Sequence, residues 1–486
     1  MKTTRKEPPI AVLLGLPFHD LTLEETLEYC REAMKGDAGG YLVTANVDFT
    51  AQAYEDPDLK KIVFFADRVV CDGMPLVWLS KIFGYPLRER VAGSDMVPRL
   101  LEICGKEGFP VFFFGSDIKT LEEAKIIVEE RYPGLRVVGL DSPPMGAVVE
   151  WDNEALCGKI KASGARLLLV CLGCPKQERW IFAHHREAGV PLSIGVGASL
   201  DFITGKQKRA PLWMQKTGLE WFWRMSSSPS RLVSRYAKDL VFLTTASLRQ
   251  AGAQRRREDI ALAARSEPAA APEYDSRVTR IEWSGELQHD GAIRAEVPQK
   301  VDSPVFLDAS RVTFADSAGL GRLASLVRVC RAAGQFLILV NPSGAFETAI
   351  RAAQMDSLFP VVDSEKSAMA LVSSHRTHDV VNKENADGVI RVSFHRSLDA
   401  LYHDEMVSIL ESAIADAPHS STLVVDLTHV TFIDSRAVGG LIRAWKSISA
   451  KNGAMFLAGA NPSVKEIISL LRLDKVLAEW KEEVAG

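Results

Sequence analysis

Two stretches of nineteen residues, Val305 to Leu323 (VFLDASRVTFADSAGLGRL) and Leu423 to Leu441 (LVVDLTHVTFIDSRAVGGL), agree at eight positions. A repeat constrains a fold more tightly than local propensity, because each copy has to be a supersecondary unit that buries its own apolar face. Each copy runs from an apolar strand through Asp-Ser into an amphipathic helix, then to a second strand, an Asn-Pro-Ser turn at Asn341 or Asn461, and a second helix. The pattern predicts two small tandem α/β domains over 276–374 and 387–486. The chain has 486 residues, more than one core usually holds, so the first half needs a fold of its own.

From residue 10 to about 205, short apolar runs alternate with amphipathic stretches, the signature of an α/β domain with a largely parallel sheet. The expected strands are Ile10 to Leu14, Tyr41 to Thr44, Arg68 to Cys71, Val111 to Phe114, Arg136 to Gly139, Leu167 to Cys171 and Leu192 to Val196. Ligands of such sheets sit beyond the carboxyl ends of the strands, which brings Asn46, Asp72, Gly115, Gly173 and Gly197 to one expected crevice. From Lys206 to Arg257 twelve Lys and Arg residues oppose only Glu220 and Asp239, interleaved with Trp213, Trp221, Phe222, Trp223, Tyr236 and Phe242. That mixture suits an anionic lipid interface, and equally a basic face over an aromatic core. The expected organisation is a core over 1–205, a basic aromatic, membrane-facing appendage over 206–250 and a linker rich in Ala, Arg, Glu and Pro over 251–275.

Composition narrows the class of function. The net charge of -4 gives no reason to expect nucleic acid as a partner. Seven cysteines without regular spacing fit a reducing, cytoplasmic compartment, and no run approaches the roughly 20 apolar residues of a spanning helix, so membrane contact is expected to be peripheral. Three suggestive patterns lead elsewhere. Cys171 and Cys174 have redox spacing, but Cys171 falls inside an apolar strand. His184-His185 lacks a companion Cys or acidic pair at ligand spacing. Gly195-Val196-Gly197 lacks the third glycine and downstream acid of a dinucleotide site.

Four segments carry polar groups at strand ends. Thr44-Ala45-Asn46-Val47-Asp48 releases a polar cluster into the crevice, or forms a turn closed by Asn46. In Cys71-Asp72-Gly73-Met74 a carboxylate stands beside a glycine that admits a ligand, though Asp72 can equally cap the next helix. Within Glu89 to Asp95, Arg90 offers a planar fork for phosphate or carboxylate, or an ordinary ion pair. Leu172 to Arg179 leads from a Gly turn into a helix with polar donors.

In this order the pieces TANVD, CDGM, ERVAGSD, YPGL, GCPKQE, GVGASLDFITG, RAP, GLEWFWR and PSRLVSRY resemble the bacterial WecG/TagA/CpsF glycosyltransferases over residues 10 to about 245. The resemblance implies a Rossmann-like enzyme that moves a sugar from a UDP-sugar donor to a polyprenyl-diphosphate-linked sugar acceptor at the inner face of the cytoplasmic membrane. It implies Asp72 as general base, with Thr44, Asn46, Arg90 and Gln177 lining the site. It matches Arg224, Arg231 and Arg235 to the family's C-terminal arginines, which would neutralise the leaving diphosphate. An Asp-x-Asp spacing occurs in this domain only at Asp56-Pro57-Asp58, at an expected helix start, so neither metal nor cofactor is expected. The repeats resemble STAS modules through Phe314-Ala315-Asp316-Ser317 and Phe432-Ile433-Asp434-Ser435. That likeness implies phosphorylation of Ser317 and Ser435 by a partner kinase, with helix capping by Asp316 or Ser317 as the alternative. A second reading of the whole chain is a signalling or docking protein whose transferase half no longer turns over.

Overall fold

The computed structural model describes residues 8–37, 39–144, 146, 148, 151–206, 209–211, 214, 223, 229–254, 278–288, 296–333, 335–356, 358–377, 383–386, 389–394, 398, 403–415, 417–428, 430, 433, 435–460, 464–465, 468 and 478–479. It divides into two compact units, Met1–Met145 with Asp152–Ala368, and Gly146–Trp151 with Met369–Gly486.

The first unit opens with β1 (Ile10–Leu13) and β2 (Leu16–His19), then alternates helix and strand: α1 (Leu23–Lys35), β3 (Gly40–Ala45), α2 (Val47–Glu55), α3 (Pro57–Phe64), β4 (Arg68–Cys71), α4 (Met74–Ile82), α5 (Gly93–Glu107), β5 (Val111–Gly115), α6 (Ile118–Arg131), β6 (Val137–Asp141), α7 (Asn153–Ala162), β7 (Leu167–Cys171), α8 (Lys176–His184), β8 (Leu192–Gly195) and α9 (Ser199–Ile203). Six strands form a wholly parallel sheet in the order β4-β3-β8-β7-β5-β6. Its central strands are buried at every position, Leu167 to Cys171 and Leu192 to Gly195, with Ser193 their one polar side chain, as a sheet covered on both faces requires. The helices start where short polar side chains satisfy their first amides: Thr22 and Glu25 close a capping box on α1, Asn46 caps α2, Asp56 caps α3 and Asp117 caps α6.

The Ile10 run departs from expectation. Instead of joining the parallel sheet, β1 pairs antiparallel with β2 in a hairpin. A short apolar run reads alike in either setting, and only its partner decides. The surface on which β1 chiefly packs comes from beyond the six-stranded sheet and its helices. After α10 (Pro229–Gln254) the chain forms β9 (Thr279–Leu287), β10 (Val305–Ala315), α11 (Ser317–Ala332), β11 (Leu337–Val340), α12 (Gly344–Ala352), β12 (Val361–Val362) and α13 (Glu365–Thr377), with a parallel sheet ordered β12-β11-β10-β9. The first repeat is therefore an α/β module as expected. Its core of Trp283, Leu307, Leu323 and Phe346 is continuous with Ile10 and Val12 of the hairpin and Phe64 of α3. Each of those three buried apolar side chains contributes about 1.5–3 kcal/mol, which ties the module to the core firmly. Arg328 of α11 adds a polar tie, donating to the carbonyls of Phe64, Ala66 and Asp67 (2.7 Å to the last) at the C-terminal end of α3.

The expected boundary between appendage and linker at residue 250 falls inside α10. The helix continues through Gln254, with Gln250 and Ala253 buried. Residues 255–277, the rest of the expected linker, lie outside the described residues.

The second unit holds the other repeat. Here β13 (Lys383–Ala386), β14 (Val389–Ser393), α14 (His403–Ala415), β15 (Thr422–Asp426), α15 (Ser435–Ala450), β16 (Ala454–Ala458) and β17 (Ala478–Glu479) form a sheet in that strand order, antiparallel only at β13 and β14. Its core gathers Ile390, Leu410, Val425, Leu441 and Leu457.

Candidate active site

Two neighbouring strand ends set the site. The Asp72 amide donates to the Ala45 carbonyl at 2.9 Å, one residue past β4, so Asn46 and Asp72 leave the sheet side by side. Gly73 follows, and a side chain there would meet the Asn46 backbone at 3.8 Å. The segment before α5 lies against β4, the Val91 amide donating to the Cys71 carbonyl at 2.8 Å, which brings Arg90 to the same edge. The Arg90 guanidinium, only 15% exposed, is oriented by Asp95 at 3.0 Å, and Asp95 also accepts from Arg209 of the Arg-Ala-Pro segment. Asn46 does double duty: its Oδ1 accepts from the Phe49 amide at 2.9 Å, capping α2, while the residue lines the site.

A cavity of about 390 Å³ opens here, lined by Asn46, Asp72 and Arg90 together with Met74, Trp78 and Ser94 on one side and by α10 on the other. Arg235, Tyr236, Asp239, Leu240 and Leu243 of α10 face it, the spacing that places residues on one helical stripe. Arg235 pairs with Asp48 at 3.0 Å, and Phe242 packs edge-on against Tyr54 of α2, ring centroids 5.3 Å apart. The aromatic residues of this helix thus pack against protein where they are described, Tyr236 on the cavity and Phe242 on α2. Asp239 is a cavity residue that sequence reasoning counted only as a stray acid in a basic stretch. Burial, then the negative charge of Asp48, pushes its carboxyl up to about 6, against the opposing pull of Arg235. Its i+4 relation to Arg235 was the one signal available.

Thr44 and Gln177 stand apart from this lining. Thr44 Oγ1 lies close to Gly93, 3.6 Å from where a side chain there would begin. Gln177 is 6% exposed, and its Oε1 accepts from the Gly173 amide at 3.1 Å and the Gly197 amide at 3.0 Å, while Nε2 donates to Glu178 at 2.7 Å. It staples together the glycine turns after β7 and β8, both of which need the left-handed conformation (φ +77° and +51°). Arg224 lies outside the described residues, and Arg231 is placed on α10 by its backbone alone. Ser317 has no exposed surface, its hydroxyl accepting from Gln250 Nε2 at 3.4 Å, and Asp316 caps α11 through the Ala318 and Gly319 amides. Ser435 opens α15, and Asp434 lies outside the described residues.

The Asp-x-Asp pair is a helix cap: Asp56 accepts from the Asp58 and Leu59 amides and binds Arg179 at 2.6 Å. Among the described residues one group, Cys157, His184 and Glu187, brings possible ligand atoms within 4.8 Å of one another. The sequence had offered His184 no companion at ligand spacing, because Cys157 arrives from α7 through the fold. The group does not line the cavity. The cysteines carry free thiols, and burial raises both Cys171 and Cys174 far above the ordinary thiol range.

A parallel sheet with a carboxylate and guanidinium groups gathered at its strand ends, in a chain that also holds α/β modules built on a repeat, defines an α/β protein with a ligand crevice at its strand ends. Residues 11–257 match the model of the Glycosyl transferase WecG/TagA/CpsF family, and 229–368 and 380–485 match that of the STAS domain. The chain belongs to the WecG/TagA/CpsF glycosyltransferase family. Residues 229–257, which include the whole of α10, fall within both matches. Among curated relatives, an N-acetylglucosaminyldiphosphoundecaprenol N-acetyl-beta-D-mannosaminyltransferase of Bacillus spizizenii is 32% identical over 193 residues, 40% of this chain and 73% of the relative. The enzyme of the same name from Bacillus subtilis is 26% identical over 218 residues, 45% of this chain and 83% of that one. Among solved structures, an anti-sigma-factor antagonist (STAS) domain protein of Planctomyces limnophilus is 21% identical, covering 21% of this chain and 89% of that one, with a TM-score of 0.20.

Proposed function

We propose that this glycosyltransferase moves an N-acetylhexosamine from a UDP-sugar to a polyprenyl-diphosphate-linked sugar at the cytoplasmic face of the membrane, by one inverting displacement that needs no metal. The observation that carries the reading is the convergence of Asn46, Asp72, Arg90 and Arg235 on a single cavity at the ends of β3 and β4. Asp72 takes the proton of the acceptor hydroxyl as it attacks the anomeric carbon. Arg90, held by Asp95, and Arg235 on α10 offset the charge that grows on the departing diphosphate, and Arg224 and Arg231 of the same basic stretch join them. The acceptor is the kind named for the two Bacillus relatives.

Among the described residues no helix is long and apolar enough to cross a membrane. Trp78 beside the cavity and Leu240 and Val241 on α10 are 46%, 65% and 64% exposed, and a lipid surface suits such side chains. A kinase acting on the STAS pair addresses Ser435, since Ser317 is sealed inside the first unit. The test is UDP release from UDP-N-acetylhexosamines with a short-chain prenyl-diphosphate sugar acceptor, run with and without a chelator. Acceptor-dependent release that survives chelation is expected; abolition by the chelator, restored by a divalent cation, would remove the metal-independent step.

A further inference from the structure

Where the transferase core and the first STAS module meet, one buried polar side chain bonds to both. Gln250, 1% exposed, accepts from the Leu14 amide at 2.8 Å and donates to the Val12 carbonyl at 3.1 Å and to Ser317 Oγ at 3.4 Å. It thus joins the N-terminal hairpin, α10 and the first residue of α11. Around it the joint is closely fitted. A Cβ on Gly321 of α11 would lie 1.7 Å from the Ile10 carbonyl oxygen, so the hairpin backbone rests directly on the helix. The Ser317 amide points to the Phe83 carbonyl at 3.4 Å. Along α10 the buried positions Asp239, Ala246, Gln250 and Ala253 form one stripe, whose first member faces the cavity and whose third is the latch. The eleven residue steps from one to the other span about 17 Å of helix. The helix packs on α2 of the transferase core at one end and on α12 of the STAS module at the other.

We propose that the first STAS module is a clamp that holds α10 over the transferase cavity, with Gln250 as the positioning residue that fixes the helix in rotation and height. The proposal rests on the reading of that cavity as the transfer site. α10 is bound at its cavity end by an Arg235–Asp48 ion pair that is 42% and 26% exposed, which contributes little in water. A buried amide with three partners, set in a continuous apolar core, is the stronger restraint. Arg235 is thereby presented to the diphosphate by a contact made beyond the transferase core. The same geometry makes Ser317 a sealed position: a phosphate or a carboxylate there has to open the joint, because the hydroxyl has no path to water.

Full-length Gln250→Leu, Gly321→Ala, Ser317→Ala and Ser317→Asp variants test this by amide hydrogen exchange and by transfer kinetics. Gln250→Leu and Ser317→Asp are expected to speed exchange not only at 10–19 but across 232–243, and to lower kcat/KM at least about tenfold. Ser317→Ala keeps the Val12 and Leu14 bonds and is expected to stay within about twofold of wild type. Gly321→Ala guards against simple unfolding: alanine favours the helix itself by about 1 kcal/mol, so lost transfer with a retained melting transition has to come from the wedge against Ile10. Exchange at wild-type rates over 232–243 in Gln250→Leu, or wild-type kinetics in Ser317→Asp, overturns the clamp. If the wild type transfers no sugar, the functional reading fails while the exchange result still decides the clamp.

Discussion

Gln177 is the residue for which the resemblance and the geometry give different expectations, and Gln177→Ala separates them. As a ligand contact, its loss weakens substrate binding and leaves folding alone. As the staple seen here, its loss strips two backbone amides, Gly173 and Gly197, of their acceptor and takes a donor from Glu178. A buried donor left without a partner costs about 1–3 kcal/mol, and the half-buried turns put these two toward the lower end, so about 2–3 kcal/mol in all. In a unit of this size that lowers the melting temperature by roughly 3–4 °C. Glu178 adds a pH signature. Burial already pushes its carboxyl up to about 7, and the Gln177 amide opposes that rise, so the variant titrates higher still. Wild type and variant both hold this proton below about pH 7, so the variant's extra deficit from Glu178 appears as pH rises above about 7. Differential scanning calorimetry between pH 5 and 8, paired with donor KM, reads all of this. A variant that melts with wild type at each pH and differs only in KM would refute the staple.

Gly195→Ala puts a Cβ 2.6 Å from Gln177 Nε2 and is expected to copy the Gln177→Ala melting loss; a wild-type melt contradicts the close fit. His19 is held well below its usual range by burial and then by the charges of Arg328 and Arg68, so the folded unit binds fewer protons than the unfolded chain. Its contribution is complete above about pH 6.5 and is lost as pH falls below it, at up to about 1.4 kcal/mol per unit, a slope that His19→Asn is expected to remove from thermal melts. Asp239, pushed up to about 6 by burial and by Asp48, acts in the opposite sense, costing stability as pH rises from about 4 to 6. Asp239→Asn is expected to raise the melting temperature at pH 7 and to flatten that limb; a lower value at pH 7 would show that the carboxylate is better paired than its burial implies.

The parts of the fold written in hydrophobic period were legible. Leu167–Cys171 and Arg68–Cys71 are strands at their expected bounds, and both repeats form the α/β modules their pattern requires. What sequence could not carry was partnership. Ile10–Leu13 has the composition of a core strand, and only the distant α11 turns it into a docking hairpin. The composition of 251–275 suggested an independent module beyond a linker, yet Gln250, an unremarkable polar residue in sequence, is buried at the joint. The site was half legible for the same reason. Asn46, Asp72 and Arg90 converge because strand ends converge in any such sheet, whereas Asp239 and Tyr236 enter only because α10 folds back across the cavity.

The account stands most directly on Asp72, tested by comparing Asp72→Asn with wild type in single-turnover sugar transfer at saturating donor and acceptor. Asparagine keeps the size and loses the basicity, so the expected result is a fall in rate of about a hundredfold or more, with melting temperature and donor affinity unchanged. Transfer by Asp72→Asn at the wild-type rate would contradict the assignment of the base and, with it, the chemistry proposed for this cavity.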